Sequence, residues 1–252
     1  MQVAGRTVVI TGAASGLGKA SAKRLAAQGA RVALLDRDKE GLDALACELG
    51  ADAAGVAVDV REPASVEAAI GAVLQRFGRI DVCLNAAGVA TPGMVTDGAA
   101  PLPLETFRSV IEINLIGLFD VMRHCATSMA KNDPIDGERG VIINVSSGAW
   151  SQGQRGQAAY AASKAGIVGL TLPAARDLAR YGVRVLAIAP GLFETSMARG
   201  LSEKVRAGLE QMILHPRRLG DPEEFAALVQ HIVENQYFNA TVISLDAGVR
   251  MG

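Results

Sequence analysis

The chain has 252 residues, a length that suits one α/β domain built around a single core. Lysine and arginine number 25 against 26 aspartate and glutamate, a formal net charge of -1, so no global field draws nucleic acid or an anionic membrane. Half of the residues are hydrophobic but only 4% are aromatic, which excludes disorder and implies a core of Ala, Val, Leu and Ile.

Short β-branched runs alternate with longer helical patterns, the mark of βαβ units around a buried parallel sheet. Strands are expected at residues 7–10, 31–35, 53–58, 82–85, 141–145, 183–188 and 241–245. Helices are expected at 17–28, 39–49, 64–76, 104–131, 158–180, 202–212 and 222–234. Gly29 and Gly50 stop two of the helices, and Glu62-Pro63 opens a third. No repeat, low-complexity tract or linker divides the chain, so residues 1–252 read as one domain. Residues 1–145 form its cofactor half and 146–252 its catalytic and substrate half. Of two irregular loops, 90–103 follows a strand and is a candidate pocket wall, whereas 132–140 precedes one and reads as surface decoration. Cys47, Cys83 and Cys125 are too scattered for a metal site and suit small buried positions in a reducing compartment. No apolar run is long enough to cross a bilayer, so a cytoplasmic protein is expected.

The first strand leads directly into Thr11-Gly12-Ala13-Ala14-Ser15-Gly16-Leu17-Gly18 and a helix. Glycines let a pyrophosphate approach the backbone, and the helix N-terminus offers free N–H groups and partial positive charge. The spacing is GxxxGxG, not GxGxxG. Asp36 ends the second strand, where a carboxylate can take the adenosine ribose hydroxyls and repel a 2'-phosphate, which favours NAD. Arg37 and Lys39 beside it weaken that preference.

Tyr160 and Lys164 are four apart on an expected helix and share a face. A cation about 4 Å from the phenol, at an effective dielectric of about 20, is worth around 4 kcal/mol, enough to bring a pKa of about 10 close to neutrality. That makes a general acid and base. Ser147, at the end of the fifth strand, could hold a substrate oxygen. Ser146 stands beside it, and only the spacing to Tyr160 selects between them.

These residues, with Asn85-Ala86-Ala87-Gly88, Asn114 and Pro190-Gly191 followed by Thr195, resemble the short-chain dehydrogenase/reductase family from residue 7 to 248. Within it the chain is similar to the type 10 17β-hydroxysteroid dehydrogenases, or short-chain 3-hydroxyacyl-CoA dehydrogenases. The stretches that carry this are Gly156-Gln157-Ala158-Ala159-Tyr160, residues 166–178, Ala189-Pro190-Gly191-Leu192-Phe193, Arg218-Leu219-Gly220-Asp221-Pro222 and Leu245-Asp246. The expected fold is α/β, a single-domain Rossmann-type doubly wound sheet of seven mostly parallel strands flanked by helices.

The resemblance implies that Tyr160 exchanges the substrate proton, Lys164 lowers its pKa and holds the nicotinamide ribose, and Ser147 orients the reacting oxygen. Asn114 would support a proton relay through water, and Gln154 would join Ser147 and Tyr160 at the substrate. Cofactor contacts would come from Gly12, Ser15, Gly16, Leu17, Gly18, Asp36, Asp59, Val60, Asn85, Ala86, Gly88, Pro190, Gly191, Phe193 and Thr195. No metal is implied.

Leu192, Phe193, Met197, Leu201, Met212, Ile213 and Leu214 suit a segment that closes over a greasy substrate, or an ordinary amphipathic helix. Arg199, Lys204 and Arg206 could hold coenzyme A phosphates, or form a solvated basic face. The implied reaction is reversible NAD-linked oxidation of a secondary alcohol, a short 3-hydroxyacyl-CoA, with hydroxysteroids as a side activity. An NADPH-dependent 3-oxoacyl-carrier-protein reductase is the related alternative, and a dinucleotide-binding sensor or scaffold the alternative from another class. Surplus apolar positions on the helices at 104–131 and 158–180, with the family resemblance, imply a homotetramer.

Overall fold

A computed structural model describes residues 1–195 and 203–250. Seven strands form one sheet: β1 (Thr7–Thr11), β2 (Arg31–Asp36), β3 (Ala53–Ala57), β4 (Val82–Asn85), β5 (Gly140–Val145), β6 (Val183–Pro190) and β7 (Val242–Leu245). Their order is β3-β2-β1-β4-β5-β6-β7, and every pairing is parallel. The chain winds outward from β1 in one direction and returns to β4 in the other, so the carboxyl ends of β1 and β4 open a crevice between them.

Helices α1 (Gly16–Ala27), α2 (Lys39–Leu49) and α3 (Pro63–Phe77) link the first four strands. All five residues of β1 are buried because helices cover both faces of the sheet. Alternate residues face opposite ways. Ile10, Leu34, Leu84 and Ile143 pack on one side with Leu25 and Phe225. Val9, Leu35, Cys83 and Ile142 pack on the other with Val73, Val121 and Met129. Each such side chain contributes about 1.5–3 kcal/mol.

The helix expected at 104–131 is not continuous: α4 (Leu104–Ile111) and α5 (Leu118–Met129) flank a π-helical stretch, Glu112–Gly117. The Asn114 amide pairs with Val89, and a methyl at Gly117 would stand 2.7 Å from the Val60 carbonyl oxygen, so two loops press into the helix at this point. A short α6 (Ala149–Gln152) precedes α7 (Ala158–Ala179) and has no counterpart among the expected elements. Between β6 and β7 lie α8 (Glu203–Gln211) and α9 (Pro222–Glu234), the latter opened by an Asp221–Glu224 capping box. Ser202, expected to start α8, lies outside the described residues.

Loop 132–140 is more than decoration. Its Glu138 is buried in an ion pair with Arg184 of β6, whose guanidinium also donates to the Ile232 and Phe238 carbonyls. Among the described residues no helix is long and apolar enough to cross a membrane.

Candidate active site

A cavity of about 700 Å³ runs along the carboxyl edge of the sheet, from the glycine turn to Tyr160 and Lys164. At its centre Thr11 Oγ1 accepts from the Ala86 and Ala87 amides, both at 3.1 Å, and so joins β1 to the chain leaving β4. The sequence places Thr11 in the turn, and its hydroxyl at a strand end is the signal for this bridging task. Gly12 has φ +68°, and a methyl there would stand 2.9 Å from the Ala86 carbonyl and the Ala87 nitrogen. A methyl at Gly18 would overlap the Gly12 carbonyl.

Ser15 stands at the start of α1 but makes no side-chain cap, and the first turn of α1 holds no acidic residue. Its amides therefore face the cavity with their partial positive charge uncompensated by the helix itself, which fits a pyrophosphate. Ser15, Gly16, Leu17 and Gly18 all line the cavity.

At the far end Asp36 is held by the turn: Oδ2 accepts from the Ala14 amide and Oδ1 from the Asp38 amide, each at 3.1 Å. Asp59, Val60 and Arg61 continue that wall. The Arg61 guanidinium grips both Asp59 oxygens and lowers that carboxyl to about 2. Arg37 also lines this end.

At the other end α7 sets Tyr160 and Lys164 on one face, and Ser147 leaves β5 opposite them. Ser147 Oγ accepts from the Ala149 amide at 3.2 Å and is close enough to the Tyr160 phenol to lower its pKa. Ser146 Oγ instead donates to the Lys164 carbonyl at 2.9 Å, so geometry distinguishes the two serines.

The expected fall of the Tyr160 pKa is absent. Burial raises the phenol above its usual 10, and the Ser147 hydrogen bond only partly offsets this. The reason is where Lys164 points: Nζ donates to the Val145 carbonyl at 2.9 Å and stands 5.6 Å from the centre of the Tyr160 ring. Burial lowers the lysine itself to about 8.

Ala86, Gly88, Pro190, Gly191, Phe193, Thr195 and Gln154 line the cavity. Thr195 comes over Gly16, its Cγ2 lying 3.5 Å from where a methyl on that glycine would stand. The Phe193 ring also packs edge-on against Phe225. Two of the expected site residues do not line the cavity. Asn85 does not line the cavity; it is buried beneath it, donating to Asn144 Oδ1 at 2.9 Å, because its side chain points between the strands. Asn114 is also buried beneath the lining, with Oδ1 accepting from the Val89 amide at 2.8 Å and Nδ2 donating to the Val89 carbonyl at 2.9 Å. Its amide is engaged by protein groups instead of being turned toward the cavity.

Gln157, which sequence reasoning had not singled out as a site residue, lines the cavity, and its Oε1 accepts from the Gln154 amide at 3.0 Å. Val89, Ala90, Leu192, Leu209 and Leu219 give the cavity an apolar wall. Arg206 is paired with Glu194 and Glu210, so it presents no unpaired cation for a phosphate. Met197, Arg199 and Leu201 lie outside the described residues, as does the side chain of Lys204.

The glycine cradle, the uncapped helix start and the acid on β2 together fit a dinucleotide, and the profile of the short chain dehydrogenase family matches residues 6–206. The chain is a short-chain dehydrogenase. It is 48% identical over 252 residues to 3-hydroxyacyl-CoA dehydrogenase type-2 of Bos taurus, across 99% of this chain and 97% of that protein. The crystal structure of 3-hydroxyacyl-CoA dehydrogenase type-2 from Mycobacterium avium superimposes with a TM-score of 0.94 at 38% identity, covering 98% of this chain and 96% of that one. A 3-oxoacyl-[acyl-carrier-protein] reductase of Thermotoga maritima is 36% identical over 255 residues, covering 99% of each. As a short-chain dehydrogenase the protein is an oxidoreductase whose fold binds a nicotinamide dinucleotide.

Proposed function

We propose that the protein uses NAD to oxidise, reversibly, the secondary alcohol of a short 3-hydroxyacyl-CoA to the ketone. The observation that carries this is that Ser147, Tyr160 and buried Lys164 line the same cavity as the glycine turn. The names and near-complete coverage of its 3-hydroxyacyl-CoA dehydrogenase relatives support the substrate class.

Gly12, Ser15, Gly16, Leu17 and Gly18 would hold the pyrophosphate, Asp36 the adenosine ribose, and Asp59 and Val60 the adenine. Pro190, Gly191, Phe193 and Thr195 would line the nicotinamide end. When bound, the dinucleotide supplies the hydride acceptor. Ser147 holds the substrate oxygen, and Tyr160 takes its proton on the phenol oxygen. Because burial raises the pKa of Tyr160 in the free protein, the ammonium of Lys164 has its effect by stabilising phenolate once the site is filled and water excluded. Asn114 contributes by fixing the wall at Val89, and Gln154 offers an amide to the substrate's second oxygen. The apolar wall from Val89 to Leu219 suits an acyl chain.

Asp36 favours NAD by repelling a 2'-phosphate, and the pairing of Arg61 with Asp59 removes one cation that could have attracted it. Ile116, Phe119 and Leu172 are exposed on the helices around Asn114 and Tyr160 and suit burial in a homotetramer. Free Cys83 and Cys125 suit a reducing compartment, the cytoplasm. Tyr160→Phe tests the chemistry: turnover falls at least 1,000-fold, on the order of 4 kcal/mol of transition-state stabilisation, while NADH affinity changes less than about threefold. Retained turnover would exclude Tyr160 as the acid and base, and a scaffold would keep its cellular role in this variant.

A further inference from the structure

Ser163 is fully buried in the turn between Tyr160 and Lys164, and its hydroxyl has two partners. It donates to the Tyr160 carbonyl at 2.7 Å, and it accepts from Asn114 Nδ2 at 3.0 Å. The Val89 amide can only donate, so the Asn114 oxygen must face it. The proton of Ser163 is spent on the Tyr160 carbonyl, so the Asn114 nitrogen must face the serine. These constraints agree and leave the amide a single orientation. One Nδ2 proton goes to the Val89 carbonyl and the other to Ser163.

We propose that Ser163 is a positioning residue, which through Asn114 locks the cavity wall at residues 86–90 to the helix turn that carries Tyr160 and Lys164. Asn114 pairs with both the N–H and the C=O of Val89, as a neighbouring strand would, and Ser163 ties that pairing to the carbonyl of Tyr160. The wall and the turn meet under Gly88, where a methyl would stand 3.2 Å from Asn114 Oδ1 and 3.5 Å from Lys164 Nζ. A shift of the clasp therefore moves the wall relative to the lysine. Without the serine oxygen one buried Asn114 N–H loses its acceptor, and the amide gains a reason to rotate away from Val89.

The proposal rests on the reading of Tyr160 and Lys164 as the reacting pair, so its test includes dinucleotide binding, which can be measured whatever the alcohol substrate. NADH titration by fluorescence and steady-state kinetics are run on the full chain as wild type, Ser163→Ala, Ser163→Cys, Asn114→Ala and Ser163→Ala/Asn114→Ala. Cysteine keeps the volume and loses most of the hydrogen-bonding strength. The expected result is that both serine variants weaken NADH at least fivefold and lower kcat at least tenfold, with the alcohol KM changed less than twofold. In the Asn114→Ala background, Ser163→Ala should add less than a twofold effect. A Ser163→Cys protein that matches wild type would reduce the role to packing and overturn the proposal. A Ser163→Ala effect that persists in full without Asn114 would also overturn it. Loss of turnover with unchanged NADH affinity in every single variant would leave the catalytic reading standing and refute the wall-locking role.

Discussion

Lys164→Met should make the free protein more stable while it abolishes turnover. The lysine is 4% exposed, and burial lowers its pKa from 10.5 to about 8. At about 1.36 kcal/mol per pH unit, keeping that ammonium charged in the fold costs about 3 kcal/mol. Methionine removes the charge at similar volume but leaves the Val145 carbonyl without its 2.9 Å donor, which returns about 1 kcal/mol. The net gain is about 2 kcal/mol, a rise in Tm of roughly 4–8 °C for a chain of this size. The pH dependence carries the sign. Below pH 8 folded and unfolded chains both hold the proton, so the penalty is present in full. Between 8 and 10.5 only the unfolded chain holds it, so wild-type stability rises with pH toward that of the variant. Urea melts of both proteins from neutral to alkaline pH read this as a difference in which other titrations cancel. A variant less stable than wild type at neutral pH, or a difference that does not change with pH, would refute the reasoning.

Gly12→Ala forces a side chain into φ +68°, worth about 1–2 kcal/mol of strain, and sets a methyl 2.9 Å from the Ala86 carbonyl. NADH affinity should fall at least tenfold by fluorescence titration; an unchanged affinity would remove the turn from the binding site. Asp36→Ala removes the charge at the adenosine end, and the ratio of NADPH to NADH affinity should rise at least tenfold, about 1.4 kcal/mol. An unchanged ratio would mean that Arg37 already sets the preference. Phe119→Glu places a charge at the exposed apolar side chain of α5, and light scattering should show dissociation to smaller species; an unchanged mass would put the interface elsewhere.

Much of the fold could be read because its signals are local. The inner strands β1, β2, β4, β5 and β6 are buried on both faces and therefore read as apolar runs, and Glu62-Pro63 and Gly29 mark helix limits whatever surrounds them. The glycine turn is legible for the same reason: the spacing of Gly12 and Gly18 reflects contacts within a single turn and with the chain leaving one neighbouring strand. The break at residues 112–117 was not legible, because its sequence is apolar and helical and the deformation comes from Val60 and Val89, distant in the chain. The resemblance implies roles for Asn85 and Asn114 but not where their amides point; whether an amide faces a cavity or the protein beneath it depends on tertiary neighbours. The pKa of Tyr160 failed for a related reason. Four-residue spacing puts Lys164 on its face but does not say that the ammonium is drawn to the Val145 carbonyl and stands 5.6 Å from the centre of the Tyr160 ring.

The central claim is tested most directly by following NADH formation by absorbance with short 3-hydroxyacyl-CoA, hydroxysteroid, sugar and simple alcohol substrates, and repeating the best with NADP. The account predicts the highest kcat/KM for a 3-hydroxyacyl-CoA with NAD. Turnover confined to a sugar or polyol, or a higher kcat/KM with NADP, would contradict it.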